Sequence, residues 1–393
     1  MQRKVTKQIH VGDIAIGGNA PVSVQSMTSG YTYEIDTCVA EINRLAKAGA
    51  DIVRVAVPEK KDTLALTEIL SQVSVPIVAD VHFHFKRALE AIEAGVQKIR
   101  LNPGNICDIE QVNSVIDACK DADIPIRIGV NEGSVVERKN KLKRQEELAS
   151  FFSERTNGHL LAMMIAKVEE YLEIFDARDF HNICLSAKLM DARHVIDIYQ
   201  ELSKRFDYPL HLGVTHAGPR ETGSIRSISA IGSLLSQGIG DTIRISYASD
   251  TIFEVEDGVE LLNCLDLRPR IGAELIACPS CGRIQVDLFK LVDDVRNQLE
   301  TDIDIPIKVA VMGCVVNGPG EAEGADVAVF AGDRRGIIYV QGERVANVSE
   351  DEILDRLLSE CKSLQDRVRN GETKLGDKAV TITAPITVEG NTT

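Results

Sequence analysis

Along the first 250 residues the apolar positions switch repeatedly between two periods. Short stretches with apolar side chains at alternate positions predict strands: PVSVQSM (Pro21–Met27), DIVRVAV (Asp51–Val57), PIVADVHF (Pro76–Phe83), KIRLNP (Lys98–Pro103), PIRIGVN (Pro125–Asn131), NICLSAK (Asn182–Lys188), LHLGVT (Leu210–Thr215) and TIRISY (Thr242–Tyr247). Between them apolar residues recur at helical spacing, as in Thr37–Ala48 and Glu110–Asp121, often ended by Gly or by a Pro before the next strand. Strand–helix alternation predicts parallel strands, and eight repeats predict an α/β fold of the TIM (β/α)8 barrel type. A doubly wound open sheet is the alternative, although no Gly-rich phosphate loop follows the first strand.

The alternation also assigns faces. In Lys98–Asn102, Ile99 and Leu101 oppose Arg100 and Asn102; in Thr242–Tyr247, Ile243, Ile245 and Tyr247 oppose Arg244 and Ser246. Arg54, Arg127 and Lys188 sit in the same way among apolar neighbours. The polar set points into the barrel, near the strand ends where barrel enzymes keep their chemistry. Five cations facing one cavity repel one another unless an anion lies between them, and guanidinium forks match phosphate oxygens. A substrate with two phosphate groups is the natural counter-charge. The plainer alternative is pairing with Asp80, Glu132 or Asp241. Asp80, His82 and His84 share a strand face as well, which leaves a metal-dependent hydrolase as a minor reading.

The pattern changes near Ile271. CPSCGR, a helix over Val286–Leu299, a strand over Ile307–Gly313, strands at Asp326–Phe330 and Gly336–Val340 and an amphipathic helix over Glu350–Val368 predict a smaller α+β domain. The expected domains are residues 1–265, 266–372 and a tail, 373–393, of unassigned structure.

Composition narrows the classes. Asp and Glu number 59 against 44 Lys and Arg, a net charge of −15, which argues against a nucleic-acid or anionic-membrane binder. No apolar run approaches the roughly 18 residues of a membrane span, and the polar N-terminus lacks a signal-peptide core, so the expected location is the cytoplasm. Nine cysteines there read as core residues, ligands or catalysts rather than disulfides.

Cys119 and Cys361 share helical spacing with apolar neighbours and read as core, while Cys38, Cys107, Cys184 and Cys264 lack ligand spacing. Cys278 and Cys281 form a C-x-x-C, and Cys314 ends an apolar run. No histidine follows His216, which excludes a Cys₃His zinc site within this region. Three thiols with Glu321 nearby suit an iron–sulfur cluster with a carboxylate as fourth ligand. A zinc knuckle also stays open, as does a buried Cys314 without a metal.

These motifs, with SVQSMT (Ser23–Thr28), AGADIVRVAVP (Ala48–Pro58), PIRIGVNEGS (Pro125–Ser134), GIGDTIRIS (Gly238–Ser246), ACPSCGR (Ala277–Arg283) and GCVVNGPGEA (Gly313–Ala322), resemble the GcpE family of 4-hydroxy-3-methylbut-2-enyl diphosphate synthases, in its two-domain bacterial form. The resemblance implies a [4Fe-4S] cluster on Cys278, Cys281, Cys314 and Glu321. It implies that Arg54, Arg100, Arg127, Lys188, Arg244 and Ser246 grip the diphosphate of a cyclic diphosphate, with Asn102, Asn131 and His82 at further site positions. It also implies a homodimer and electrons from reduced flavodoxin or ferredoxin. One departure bears on catalysis: the family usually reads T-E-A-G where this chain has Thr215-His216-Ala217-Gly218. His216 is therefore the candidate general acid in place of that glutamate, and Glu221 is a neighbouring alternative.

Overall fold

The computed structural model describes residues 2–81, 84–102, 108–131, 158–315, 322–332 and 334–376. His82 and Glu321 lie outside these residues, as does most of the tail. The chain separates into two units, Met1–Arg268 and Pro269–Thr393.

The first unit is a parallel barrel. Its strands are β3 (Ser23–Met27), β4 (Ile52–Ala56), β5 (Ile77–Val81), β6 (Lys98–Leu101), β7 (Ile126–Asn131), β8 (Ile183–Lys188), β9 (His211–Leu212) and β10 (Thr242–Ile243). They follow the order β8-β7-β6-β5-β4-β3-β10-β9, and a parallel bridge between Leu185 and Leu210 joins the two ends. Val and Ile fill the outward positions and pack under the helices, as β-branched side chains do on a pleated surface. The barrel thus replaces the open-sheet alternative.

Among the described residues seven helices connect these strands and an eighth follows the last: α1 (Ile35–Lys47), α2 (Lys60–Leu70), α3 (Phe85–Ala94), α4 (Ile109–Asp121), α5 (Gly158–Asp176), α6 (Ala192–Arg205), α7 (Arg220–Ser236) and α8 (Thr251–Cys264). Asp108, Asp191 and Asp250 start three of them by accepting backbone N–H bonds, which satisfies donors that a helix leaves open. β9 and β10 are shorter than the alternation predicts, because ladder pairing stops at Leu212 and Ile243.

An antiparallel hairpin, β1 (Ile9–Val11) and β2 (Ile14–Ile16), precedes the barrel. Its Ile9, Val11 and Ile16 pack on Ile52, Val78 and Cys184, near the starts of their strands, and close that end of the barrel. Cys38 and Cys119 lie wholly buried among the barrel's outer apolar residues.

Among the described residues the second unit holds one five-stranded sheet in the order β11 (Glu274–Ala277), β12 (Lys308–Met312), β13 (Val327–Gly332), β14 (Arg335–Val340) and β15 (Glu343–Ser349). The first three strands are parallel and the last three antiparallel. Helices α9 (Leu288–Asp302) and α10 (Ile353–Arg369) cover one face through Val295, Leu299, Leu357, Cys361 and Leu364. Cys361 is therefore a core residue. Small side chains line the other face, with Ala310, Ala322, Ala325 and Ala328 around Met312 and Phe330. The tail begins docked on this unit: Leu375 packs on the core and Gly376 N–H donates to Asp326 Oδ1 at 2.8 Å.

Candidate functional site

Alternation along β4, β6, β7 and β8, continued along the residues after β9 and β10, brings polar side chains into one cavity of about 130 Å³. Arg54, Arg100, Arg127, Lys188, Arg244, Asn131 and Ser246 line it, with Asp80, Ser186, Val214 and Thr215. Asn102 is 3 % exposed in the same run as Arg100. The strands thus gather the cations that their inward register predicts.

The pairing alternative holds in part. Asp80 Oδ1 accepts from Arg100 Nη1 at 3.1 Å, and Asp80 Oδ2 faces Arg54 Nε at 3.6 Å. Glu254, from α8, faces Arg244 Nη2 at 3.5 Å and accepts from the Tyr247 N–H at 3.0 Å. Among the described residues these two carboxylates answer five cations, an excess of three positive charges. Asp241 instead binds Arg3 Nη2 at 3.1 Å and the Leu210 N–H at 2.9 Å, and Glu132 lies outside the described residues.

The electrostatics follow from burial. Loss of solvent lowers the Lys188 amine well below its usual range, and Arg127, Arg244, Arg54 and Arg100 push it further. Burial and the neighbouring Arg100 lower Arg127 to about 10. Arg127 Nε and Nη1 have no hydrogen-bond partner among the described residues. Buried donors left open in this way mark a place where an anion would be held.

Polar residues also lie deeper in the barrel, where the sequence reading assigned none. Lys98 is wholly buried and its amine is lowered to about 8, by burial first. His211 is wholly buried, and burial with the surrounding cations holds its ring far below the usual range. Both occupy inward positions of β6 and β9, so the alternation that singled out Arg100 was also their signal.

His216 stands one residue beyond Thr215, exposed, with a backbone φ of +53°. The hydrolase reading fails on Asp80 and His84. Asp80 is engaged by two arginines, and His84 is an exposed residue at the start of α3 that lines an outer cavity.

In the second unit, parallel pairing of β11 with β12 brings two cysteines to the same strand ends. Ala277 pairs with Val311, so Cys278 and Cys314 follow on adjacent strands. The Gly313 N–H donates to Cys278 Sγ at 3.3 Å, and the Gln285 N–H donates to the Gly313 carbonyl at 3.2 Å, which folds the C-x-x-C loop over β12. Cys314 is buried, Cys278 half-buried and Cys281 exposed. Among the described residues no three Cys, His, Asp or Glu side chains converge closely enough to hold a metal ion. Even so, the donors suit an iron–sulfur group. Thiols lie on both strand ends and the intervening loop, and a backbone N–H already bonds to one sulfur, as donors around clusters do.

The family model for the GcpE TIM-barrel domain matches residues 6–259, and that for the GcpE protein C-terminal domain matches residues 274–363. The chain is 44 % identical to the "4-hydroxy-3-methylbut-2-en-1-yl diphosphate synthase (flavodoxin)" of Symbiobacterium thermophilum, over 91 % of this chain and 93 % of that one. It is 42 % identical to the protein of that name from Exiguobacterium sibiricum, over 93 % and 95 %. It is 41 % identical to that numbered 2 from Streptomyces coelicolor, over 97 % and 95 %. With both units matched and relatives this similar along nearly the whole chain, the protein belongs to the GcpE family.

Proposed function

We propose that the protein catalyses the reductive ring opening and dehydration of 2-C-methyl-D-erythritol 2,4-cyclodiphosphate. The product is (E)-4-hydroxy-3-methylbut-2-enyl diphosphate, an isoprenoid precursor; two electrons enter from reduced flavodoxin or ferredoxin and one water leaves. The family match over both units and the shared name of the relatives support this reading. The observation that carries it is the excess, among the described residues, of three positive charges in a small buried cavity of the barrel.

Arg54, Arg100, Arg127, Lys188 and Arg244 hold the diphosphate, with Ser246, Asn131, Asn102 and His82 as further polar contacts. When the ring C–O bond breaks, negative charge grows on the departing phosphate oxygen. The fixed cations stabilise it there without the reorganisation that water would need. Cys278, Cys281, Cys314 and Glu321 are the residues that would hold a [4Fe-4S] cluster, which when bound supplies electrons singly and an iron open to a substrate oxygen. His216 would donate the proton that converts the leaving hydroxyl into water.

The proposed setting is the cytoplasm, where thiols stay reduced; no described helix is long and apolar enough to cross a membrane. The proposal includes a homodimer, to be checked by sedimentation velocity. The central test is anaerobic purification. Brown protein with iron and acid-labile sulfide that turns over the cyclodiphosphate supports the reading. Colourless protein after reconstitution with iron and sulfide, or zinc without sulfide, defeats it.

A further inference from the structure

We propose that Met27, Gly129 and Gly213 are positioning residues that aim three of the cavity's cations without adding a counter-charge of their own to the one Asp80 supplies. This inference rests on the diphosphate reading of the cavity.

All three occupy inward positions, one step further along their strands than Gln25, Arg127 and His211. Each receives a cation from an adjacent strand. Arg54, on β4, donates to the Met27 Sδ from Nε at 3.1 Å and from Nη2 at 2.9 Å. Arg100, on β6, lies across Gly129: a Cβ there would stand 2.9 Å from its Nε and 3.2 Å from its Nη2. Lys188, on β8, lies across Gly213: a Cβ there would stand 2.8 Å from its Nζ and 3.0 Å from its Cε.

None of the three positions supplies a strong acceptor. A thioether sulfur accepts weakly, and a glycine has no side chain at all. A carboxylate at these positions would hold the same cations equally well but would cancel the charge that a phosphate needs. A larger apolar side chain would push them out of register. At these three contacts shape does the holding, and no counter-charge is added beyond the Asp80 carboxylate that Arg54 and Arg100 share.

Isothermal titration of the full chain with inorganic diphosphate tests the inference. Gly213→Ala would also meet the Arg244 carbonyl oxygen at 2.9 Å, a backbone atom. Gly129→Ala is the cleaner variant, because its three closest atoms all belong to the Arg100 guanidinium. We expect its Kd to rise about tenfold, the loss of one well-aimed charge-assisted contact. We also expect the effect to be non-additive: in an Arg100→Lys background the added methyl should cost much less. Met27→Glu should weaken binding about tenfold as well, by neutralising Arg54, without lowering the melting temperature of the ligand-free chain.

A Gly129→Ala chain that binds diphosphate like wild type overturns the inference. So does an equal cost in the Arg100→Lys background, or a Met27→Glu chain of undiminished affinity. Wild-type protein that does not bind diphosphate at all overturns the underlying reading of the cavity instead.

Discussion

Arg100 Nη1 donates to Asp80 Oδ1 at 3.1 Å inside the barrel, with neither side chain more than 6 % exposed. The same carboxylate faces Arg54, so one anion tempers two cations. Asp80→Asn removes it and raises the local excess from three charges to four. Breaking a buried pair in this way costs about 3–5 kcal/mol. Thermal melts in chloride buffer should show the loss. Added inorganic diphosphate should restore more stability to Asp80→Asn than to wild type, since it supplies the missing charge. Equal ligand-induced shifts in the two proteins would contradict this account.

Lys188 poses the opposite case. Its amine is buried and faces four arginines, which drive it well below its usual range. Lys188→Met relieves that repulsion, so the ligand-free chain should gain on the order of 1–3 kcal/mol in urea unfolding. Diphosphate binding should weaken by at least about tenfold. A variant that loses both stability and affinity would mean that Lys188 serves the fold rather than the ligand.

The eight barrel strands and their five inward cations are legible in the sequence, because period-two alternation marks which side chains share an interior. The hairpin β1–β2 is not, since three-residue strands carry too little pattern. Nor are β11, half-buried along most of its length, and β15, whose polar and exposed residues read as a loop. Partnerships across the chain are also invisible locally. Glu254 reaches Arg244 from a helix, and Asp80 serves arginines on both neighbouring strands. The cysteines show the same division. Spacing suggested that Cys278 and Cys314 belong together, but only the β11–β12 pairing explains why their strand ends coincide.

Lys98 gives a pH signature. Its amine is lowered from 10.5 to about 8, chiefly by burial, with Arg127 acting in the same direction. Below pH 8 the amine is charged in both folded and unfolded chains, and the full burial cost is felt. Between 8 and 10.5 the folded chain has lost the proton while the unfolded chain keeps it, so this group's contribution to stability rises with pH. Lys98→Met should therefore exceed wild type at pH 7 by on the order of 1–3 kcal/mol, an advantage that shrinks toward pH 10. Buried thiols such as Cys38, pushed up to about 11, oppose this trend in both chains and cancel in the difference. A gap that stays constant with pH would rule the assignment out.

His216 separates backbone from chemistry. Its φ of +53° favours glycine, so His216→Gly should stabilise the fold by about 1 kcal/mol. If the imidazole donates the proton, the same variant loses turnover, while His216→Glu, whose carboxyl can also donate a proton, keeps much of it. Turnover of His216→Gly equal to wild type would return the proton to another group, with Glu221 the first to test.

The cysteines provide an internal control for the proposed cluster. Cys361 is wholly buried between α10 and the sheet, and burial raises its thiol to about 12, which keeps it protonated and unsuited to bind iron. Cys361→Ala should unfold more easily, by about 1–2 kcal/mol, yet retain full iron and sulfide after anaerobic reconstitution. Cys314→Ala truncates a thiol at the end of β12, beside the Gly313 N–H that bonds to Cys278 Sγ. It should lose iron, sulfide and visible absorbance while its melting temperature without the cluster stays near that of wild type. Gly313→Ala adds a methyl that would stand 3.3 Å from Leu288 Cδ2 and 3.4 Å from Ile284 Cγ1, crowding the side chain three residues after Cys281 by a few tenths of an ångström. Iron content should fall part of the way in that variant, although every thiol is still present. Full iron in Cys314→Ala, or iron lost to the same degree from Cys361→Ala, would place the ligands elsewhere.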